Sequence, residues 1–149
     1  MARRTHRLGL VLGTVLVLCG ACGPAQTDLV GEIPPARLAE CAKKMRVTFP
    51  ASTRTLGLRD FGREEFLGLK LEMAAADWPE FVATSPVPAE NFAEGALELA
   101  GDPAPWWQAD QTGRVEVGEV FLDGESVFVA SEPGSADPKI VYLVWQRAW

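Results

Sequence analysis

A strict two-residue alternation in the middle of the chain constrains its fold most strongly. From Leu67 to Met73, leucine or methionine occupies every second position, and glycine, lysine and glutamate stand between them. This pattern is typical of an antiparallel strand that buries one face and exposes the other. We therefore predict that residues 65–73 pair with a strand at 55–61, across a turn at 60–64.

The last third of the chain contains the next strand patterns. We predict strands at residues 114–122, 126–130 and 139–146, in addition to a short one at 47–49. The first two are separated by Asp-Gly, which is a hairpin turn signal. The strand at 139–146 is apolar on both faces, which favours a central position in a sheet or a cover of helices.

Three other segments have apolar residues at helical spacing. They are residues 36–46, a segment that begins at Asp77, and residues 89–99. Asp77 and Glu80 have the spacing of a capping box. Gly95 lies inside the third segment and weakens a helix there by up to ~1 kcal/mol relative to alanine.

The predicted strands and helices occur in separate stretches of the chain, which favours the α+β class. We expect a mainly antiparallel sheet of about five strands, with two or three helices packed on one face. The chain has 149 residues, of which 48% are hydrophobic and 23% charged, and these values are typical of one globular domain. We assign residues 36–149 to that domain.

The first 21 residues are excluded from the domain because they have the layout of an export signal. Arg3, Arg4 and Arg7 precede an apolar run at residues 8–18, and small residues follow the run. The run is shorter than the roughly 20 residues that cross a bilayer. We therefore expect the rest of the chain to work outside the cytoplasm.

Residues 18–22, Leu-Cys-Gly-Ala-Cys, resemble the lipobox of bacterial lipoproteins. The resemblance implies that diacylglycerol is attached to the sulfur of Cys22 and that the signal is cleaved just before it. Residues 22–35 would then be the lipidated cysteine and a flexible tether, at the outer face of the cell membrane. Cys19 stands where leucine is usual in that family, and an ordinary secretory signal that ends in cysteine is the alternative.

The globular part, over residues 41–145, is similar to small lipoproteins of actinobacteria. The matching segments are residues 49–53 (Phe-Pro-Ala-Ser-Thr), 67–71 (Leu-Gly-Leu-Lys-Leu), 77–82 and 141–145 (Val-Tyr-Leu-Val-Trp). No segment among them is chemically specific. The resemblance implies a compartment and a fold, and it carries no catalytic residue over to this chain.

The charge of the chain limits its partners. The formal net charge is −6, and removal of the three arginines of the signal leaves 11 of the 14 basic residues against 20 acidic ones, a charge of −9. This excess disfavours nucleic acid and predicts no basic patch for anionic lipid, so we expect membrane attachment through the lipid anchor alone. Cys41 is the remaining cysteine after processing and is predicted to be a buried residue on a helix, without an internal disulfide.

Candidate catalytic groups are scarce in the sequence. His6 is the only histidine and is lost with the signal, so the mature domain has no imidazole for a Ser-His pair, a Cys-His pair or a zinc site. We expect no catalytic residue, no metal site and no cofactor. Glu90, Glu94 and Glu98 would share one side of the predicted helix at 89–99, and such carboxylates could cleave glycosides if two lay roughly 5–10 Å apart.

Trp106 and Trp107 are the candidate contact residues, because they lie in a proline-containing loop at residues 101–113. Adjacent aromatic rings can stack on sugars, peptides or lipid headgroups. The alternative is that both rings cap the edge of the sheet as part of the core. We expect a non-catalytic binding module with an unknown envelope protein or ligand as partner; a carboxylate-dependent envelope hydrolase and a small-ligand carrier are the alternatives.

Overall fold

Seven strands form one antiparallel sheet in the computed structural model, which describes residues 26–62, 65–109, 114–134 and 136–147. The spatial order of the strands is β1-β2-β3-β7-β6-β5-β4. They are β1 Thr27–Val30, β2 Arg54–Asp60, β3 Phe66–Met73, β4 Ala93–Gly95, β5 Val115–Leu122, β6 Glu125–Ser131 and β7 Lys139–Arg147. Two α-helices are described, α1 Pro35–Met45 and α2 Trp78–Thr84. The predicted signal and Cys22 lie outside the described residues.

The predicted α+β class is wrong, because the fold is mainly β and contains seven strands where about five were expected. The helix predicted at residues 89–99 does not form. A 3-10 turn, Ala89–Asn91, leads instead into β4, which pairs with the start of β5. Gly95 makes a helix unfavourable at this point, and pairing with an existing strand supplies the backbone hydrogen bonds that a helix would have made.

The remaining strand predictions are largely confirmed. β2 pairs with β3, and β5 pairs with β6 through the Asp-Gly turn. Asp123 (φ 54°) and Gly124 (φ 82°) are both left-handed in this turn, as a tight hairpin requires. β7 lies between β3 and β6 at the centre of the sheet, in agreement with its two apolar faces. The short strand at 47–49 is absent, since these described residues form irregular chain between α1 and β2.

The two α-helices pack on one face of the sheet, which we call the helical face. Cys41 and Met45 of α1 and Phe81 of α2 are buried there. The buried apolar residues of the sheet beneath them are Leu58, Leu67, Leu69, Leu71, Met73, Val127, Val129, Val141, Leu143 and Trp145. Lys139 of β7 is buried on this face as well, with its ammonium 5.5 Å from the centroid of the Trp78 ring. Full burial of each aliphatic side chain stabilises the fold by about 1.5–3 kcal/mol. The prediction of a buried Cys41 on a helix is confirmed.

Irregular chain at residues 96–109 covers the opposite face, which we call the loop face. Leu97 and Trp107 from this segment are buried against Tyr142 and Val144 of β7. Two glycines permit the close approach: a Cβ on Gly57 would lie 2.4 Å from the Trp106 ring, and one on Gly68 would lie 2.5 Å from Leu99. The expectation that β3 exposes one face is therefore wrong, because both faces of the sheet are covered.

β1 lies within the tether that was predicted over residues 22–35. Its residues pair with β2 from Thr27 opposite Asp60 to Val30 opposite Gly57. Ile33 is also buried, and its backbone N–H donates to Thr55 Oγ1 at 2.9 Å. The sheet thus includes residues that were assigned to the tether, and four residues lie between Cys22 and the first residue of β1.

Candidate functional site

A groove along α1 brings four basic side chains together. Its volume is about 590 Å³, and we call it the α1 groove. The residues that line it are Arg37, Glu40, Lys43, Lys44, Arg46, Glu125 and Trp145. The net charge predicted no basic patch for anionic lipid. The groove groups four cations with two glutamates, and the net charge of the whole chain does not report such a local distribution.

The amphipathic character of α1 places these cations on the outside of the helix. Cys41 and Met45 are four residues apart and both are buried, so the opposite side of the helix faces solvent. Lys43 and Lys44 lie in the last turn, where positive charge interacts favourably with the helix dipole. Arg46 ends the helix in the left-handed conformation, with φ 56°, and its backbone N–H donates to the final carbonyl groups.

The four cations of the α1 groove differ in how they are paired. Arg37 contacts both Glu40 and Asp60, and Arg46 Nη2 lies 2.8 Å from a carboxylate oxygen of Asp123. Among the described residues, neither lysine of the groove has a carboxylate within ion-pair distance.

Trp145 forms the floor of the α1 groove. The ammonium of Lys44 lies 4.6 Å from the centroid of its ring, and the Trp145 indole N–H donates to Glu125 Oε2 at 3.1 Å. An ammonium over an indole face is a favourable arrangement, and it keeps Lys44 close to the floor. Lys43 is exposed, and neither lysine is held in a direct ion pair, while Glu40 and Glu125 line the same groove.

The predicted contact pair, Trp106 and Trp107, lies at the loop face. Trp107 is only 1% exposed; its indole N–H donates to the Leu97 carbonyl at 3.2 Å, and its ring meets Tyr142 edge-to-face at 4.9 Å. Trp107 is thus a core residue, as the alternative interpretation of the pair supposed. Trp106 is half-buried over Gly57, so of the two rings it alone retains accessible surface, and its role in partner contact stays a prediction.

A buried arginine holds residues 96–109, which we call the covering segment, against the loop face. Arg59 on β2 is 1% exposed, and its Nε and Nη2 atoms donate to the two carboxylate oxygens of Asp28 at 2.7 and 2.6 Å. Its Nη1 atom donates to the Ala100 carbonyl at 2.9 Å and to the carbonyl of Asp102. The hydrogen bonds from Arg59 hold the pKa of Asp28 below its usual value, and Asp28 in turn raises the pKa of Arg59.

A buried lysine makes a second attachment on β3. Lys70 Nζ donates to the Trp106 carbonyl and to Gln108 Oε1, both at 2.9 Å, and it lies 5.5 Å from the centroid of the Tyr142 ring. Burial lowers the pKa of Lys70, and the negative charge of Glu132 opposes that effect. Arg59 and Lys70 therefore both donate to carbonyl groups of residues 96–109. In the sequence, only the place of Lys70 between the apolar residues of the alternating pattern sets it apart.

The candidate carboxylates do not share one surface of a helix, because that helix does not form. Glu90, Glu94 and Glu98 are exposed, and Glu94 is paired with Arg114 at 2.9 Å. The predicted capping box at α2 is also wrong: Asp77 makes no side-chain cap and accepts a hydrogen bond from Ser52. Within the described part of the chain, no group of three potential ligands is placed to hold a metal ion.

Comparisons with known proteins add no relative: no family model, no curated protein and no solved structure matches the chain. Of the helices described, none combines the length and the apolar character that crossing a membrane requires.

Proposed function

We propose that the chain is an exported lipoprotein, anchored at the outer face of the cell membrane through Cys22, and that its domain is a non-catalytic binding module. The observation that carries the proposal is the spacing of two features. The lipobox-like residues 18–22 come five residues before β1 begins at Thr27. A diacylglycerol on one cysteine provides two acyl chains, which suffice for stable attachment.

The α1 groove supports binding as the activity of the module. Two lysines without carboxylate partners and an indole floor are suited to an anionic group, since the charge attracts it and the ring limits competing water. The groove is open to solvent along α1, and its cations are already positioned by the helix. We therefore assign partner recognition to this surface, and leave to Trp106 a secondary contact at the loop face.

Replacement of the proposed lipidated cysteine tests the anchor. In cells supplied with labelled palmitate, Cys22→Ser should lose the label and either leave the washed membrane fraction or remain as the uncleaved precursor. Cys19→Ser is the matched control, since it removes a sulfur three residues away and should keep both label and membrane retention. Cys41 is no competitor for the lipid, because it is buried within α1. Label and retention that persist in Cys22→Ser would refute the proposal.

A further inference from the structure

We propose that the α1 groove rests on anionic phospholipid headgroups, so that anchor and groove together hold the domain in one orientation on the bilayer. This inference rests on the proposed attachment through Cys22 and names the partner of the groove. It depends on where the chain enters the sheet, where the groove opens, and which charges are free.

The chain enters the sheet at one end, which we call the Asp60 end. Thr27, the first residue of β1, is opposite Asp60, the last residue of β2. The register of the remaining strands places their corresponding ends in the same row. These ends are Phe66 of β3, Arg147 of β7, Glu125 of β6 and Leu122 of β5.

The α1 groove opens at the same end. Arg37 reaches Asp60 itself, and Arg46 reaches Asp123 in the turn between β5 and β6. Glu125, which lines the groove, is the first residue of β6. Both ends of α1 are thus tied to the Asp60 end, and the groove lies between these ties.

The short connection keeps the groove near the membrane. The five Cα–Cα steps from Cys22 to Thr27 span at most about 17 Å when the chain is fully extended. Electrostatic attraction to a charged surface extends over a Debye length of about 8 Å at physiological ionic strength. A tilt of the domain can therefore bring the α1 groove within a Debye length of the membrane surface. The opposite end of the sheet lies farther from the anchor by the length of the strands.

The distribution of charge favours this orientation over others. Lys43 and Lys44 are the unpaired cations of the groove, and each lysine near an anionic surface favours contact by about fivefold, or about thirtyfold for the two. The rest of the domain carries a large acidic excess and is repelled by the same lipids.

Energy transfer to labelled headgroups tests the orientation with the mature, lipidated protein. A donor dye is attached through Ala39→Cys on the exposed side of α1 or through Ala76→Cys beyond β3, at the opposite end of the sheet. Cys41 is fully buried and does not compete for the dye. On vesicles of phosphatidylcholine with phosphatidylglycerol, transfer should be stronger from position 39 than from position 76. The difference should fall on phosphatidylcholine alone and at high salt.

Two matched double variants separate the groove from overall charge. Lys43→Gln/Lys44→Gln should reduce the ratio of docked to undocked domain about thirtyfold on the anionic vesicles. Arg54→Gln/Arg114→Gln removes the same charge from exposed arginines at the opposite end and should leave the ratio unchanged. Equal effects of the two pairs, or transfer that does not respond to phosphatidylglycerol, would overturn the orientation. Failure of the protein to float with phosphatidylcholine vesicles would instead overturn the lipid anchor.

Discussion

The two faces of the sheet are covered by different kinds of chain, and the side chains beneath them differ accordingly. Under α1 and α2 most of the buried sheet residues are apolar, because a helix satisfies its own backbone hydrogen bonds. Lys139 of β7, which is buried beside the Trp78 ring, is an exception. Under residues 96–109 the sheet contributes Arg59 and Lys70, which donate to backbone carbonyls of the covering segment. Irregular chain that lies on a sheet needs partners for its polar groups, and here two cations supply them.

This difference has a consequence for stability. On the helical face the contribution of each residue depends on apolar area and packing, so it should vary little with pH. On the loop face the packing depends also on charged donors, one of which has a lowered pKa. The loop face is therefore where pH and single charge removals should act most strongly.

The largest effect is expected from Trp107→Ala. The variant opens a cavity against Tyr142 and leaves the Leu97 carbonyl without its indole donor, so it should lower the free energy of unfolding by about 3–5 kcal/mol. Urea unfolding, followed by circular dichroism, measures the change. Trp106→Ala is the matched control, and because its ring is only partly buried its effect should be smaller. Similar losses in both variants would contradict the assignment of Trp107 alone to the core.

Arg59→Met should have the next largest effect. It removes the partner of Asp28 and the donor to two loop carbonyls, and loss of one member of a buried ion pair costs about 3 kcal/mol. The matched control is Arg54→Met on the same strand, where the side chain is 79% exposed and paired only with Glu72, so less than about 0.5 kcal/mol is expected. An equal cost at both positions would show that the buried contacts of Arg59 do not hold the covering segment.

The same variant should alter the acid dependence of stability. Arg59 lowers the pKa of Asp28 in the folded chain, so the unfolded chain binds the proton first as the pH falls. The stabilisation by Asp28 is therefore present above pH 3.8 and is lost as the pH falls through the lower pKa of the folded state. Urea titrations at successive acidic pH values should show this loss in the parent chain and not in Arg59→Met.

Lys70→Met should have the smallest effect at neutral pH, because removal of a buried charge offsets part of the cost of losing two hydrogen bonds. Its diagnostic effect is at alkaline pH. The folded state releases the Lys70 proton below the ordinary lysine pKa of 10.5, so in that window the unfolded chain binds more protons and stability rises with pH. The free energy of unfolding of the parent chain should therefore rise relative to that of Lys70→Met as the pH approaches 10.5. A gap that is constant with pH would contradict the burial of the ammonium.

Sequence patterns predicted the helical face well and the loop face poorly. The alternation at Leu67 to Met73 located β3, and helical spacing located α1, because periodicity reports directly on which side of an element is buried. The segment at 96–109 has no period, so nothing in it indicated that it would cover a second face and bury Lys70. β1 was missed for a related reason: its four residues are all exposed, and its position at the edge depends on pairing with β2.

The sequence also predicted the candidate site only in part. The aromatic pair was conspicuous in the sequence, yet Trp107 packs against Tyr142 in the core. The α1 groove was hidden by the net charge of the whole chain, although Lys43, Lys44 and Arg46 are nearly consecutive. Their grouping with Arg37 and Trp145 requires both the turn of a helix and the placement of that helix over β7, which the sequence does not encode locally.

The attachment of the chain to the membrane is tested most directly by the intact mass of the protein isolated from membranes of cells that express it. We predict a polypeptide that begins at Cys22 and carries the added mass of diacylglycerol on that residue, with the signal of 21 residues removed. A polypeptide that retains Met1, or one that begins after the signal without an acyl adduct, would contradict the anchor and with it the proposed orientation of the α1 groove.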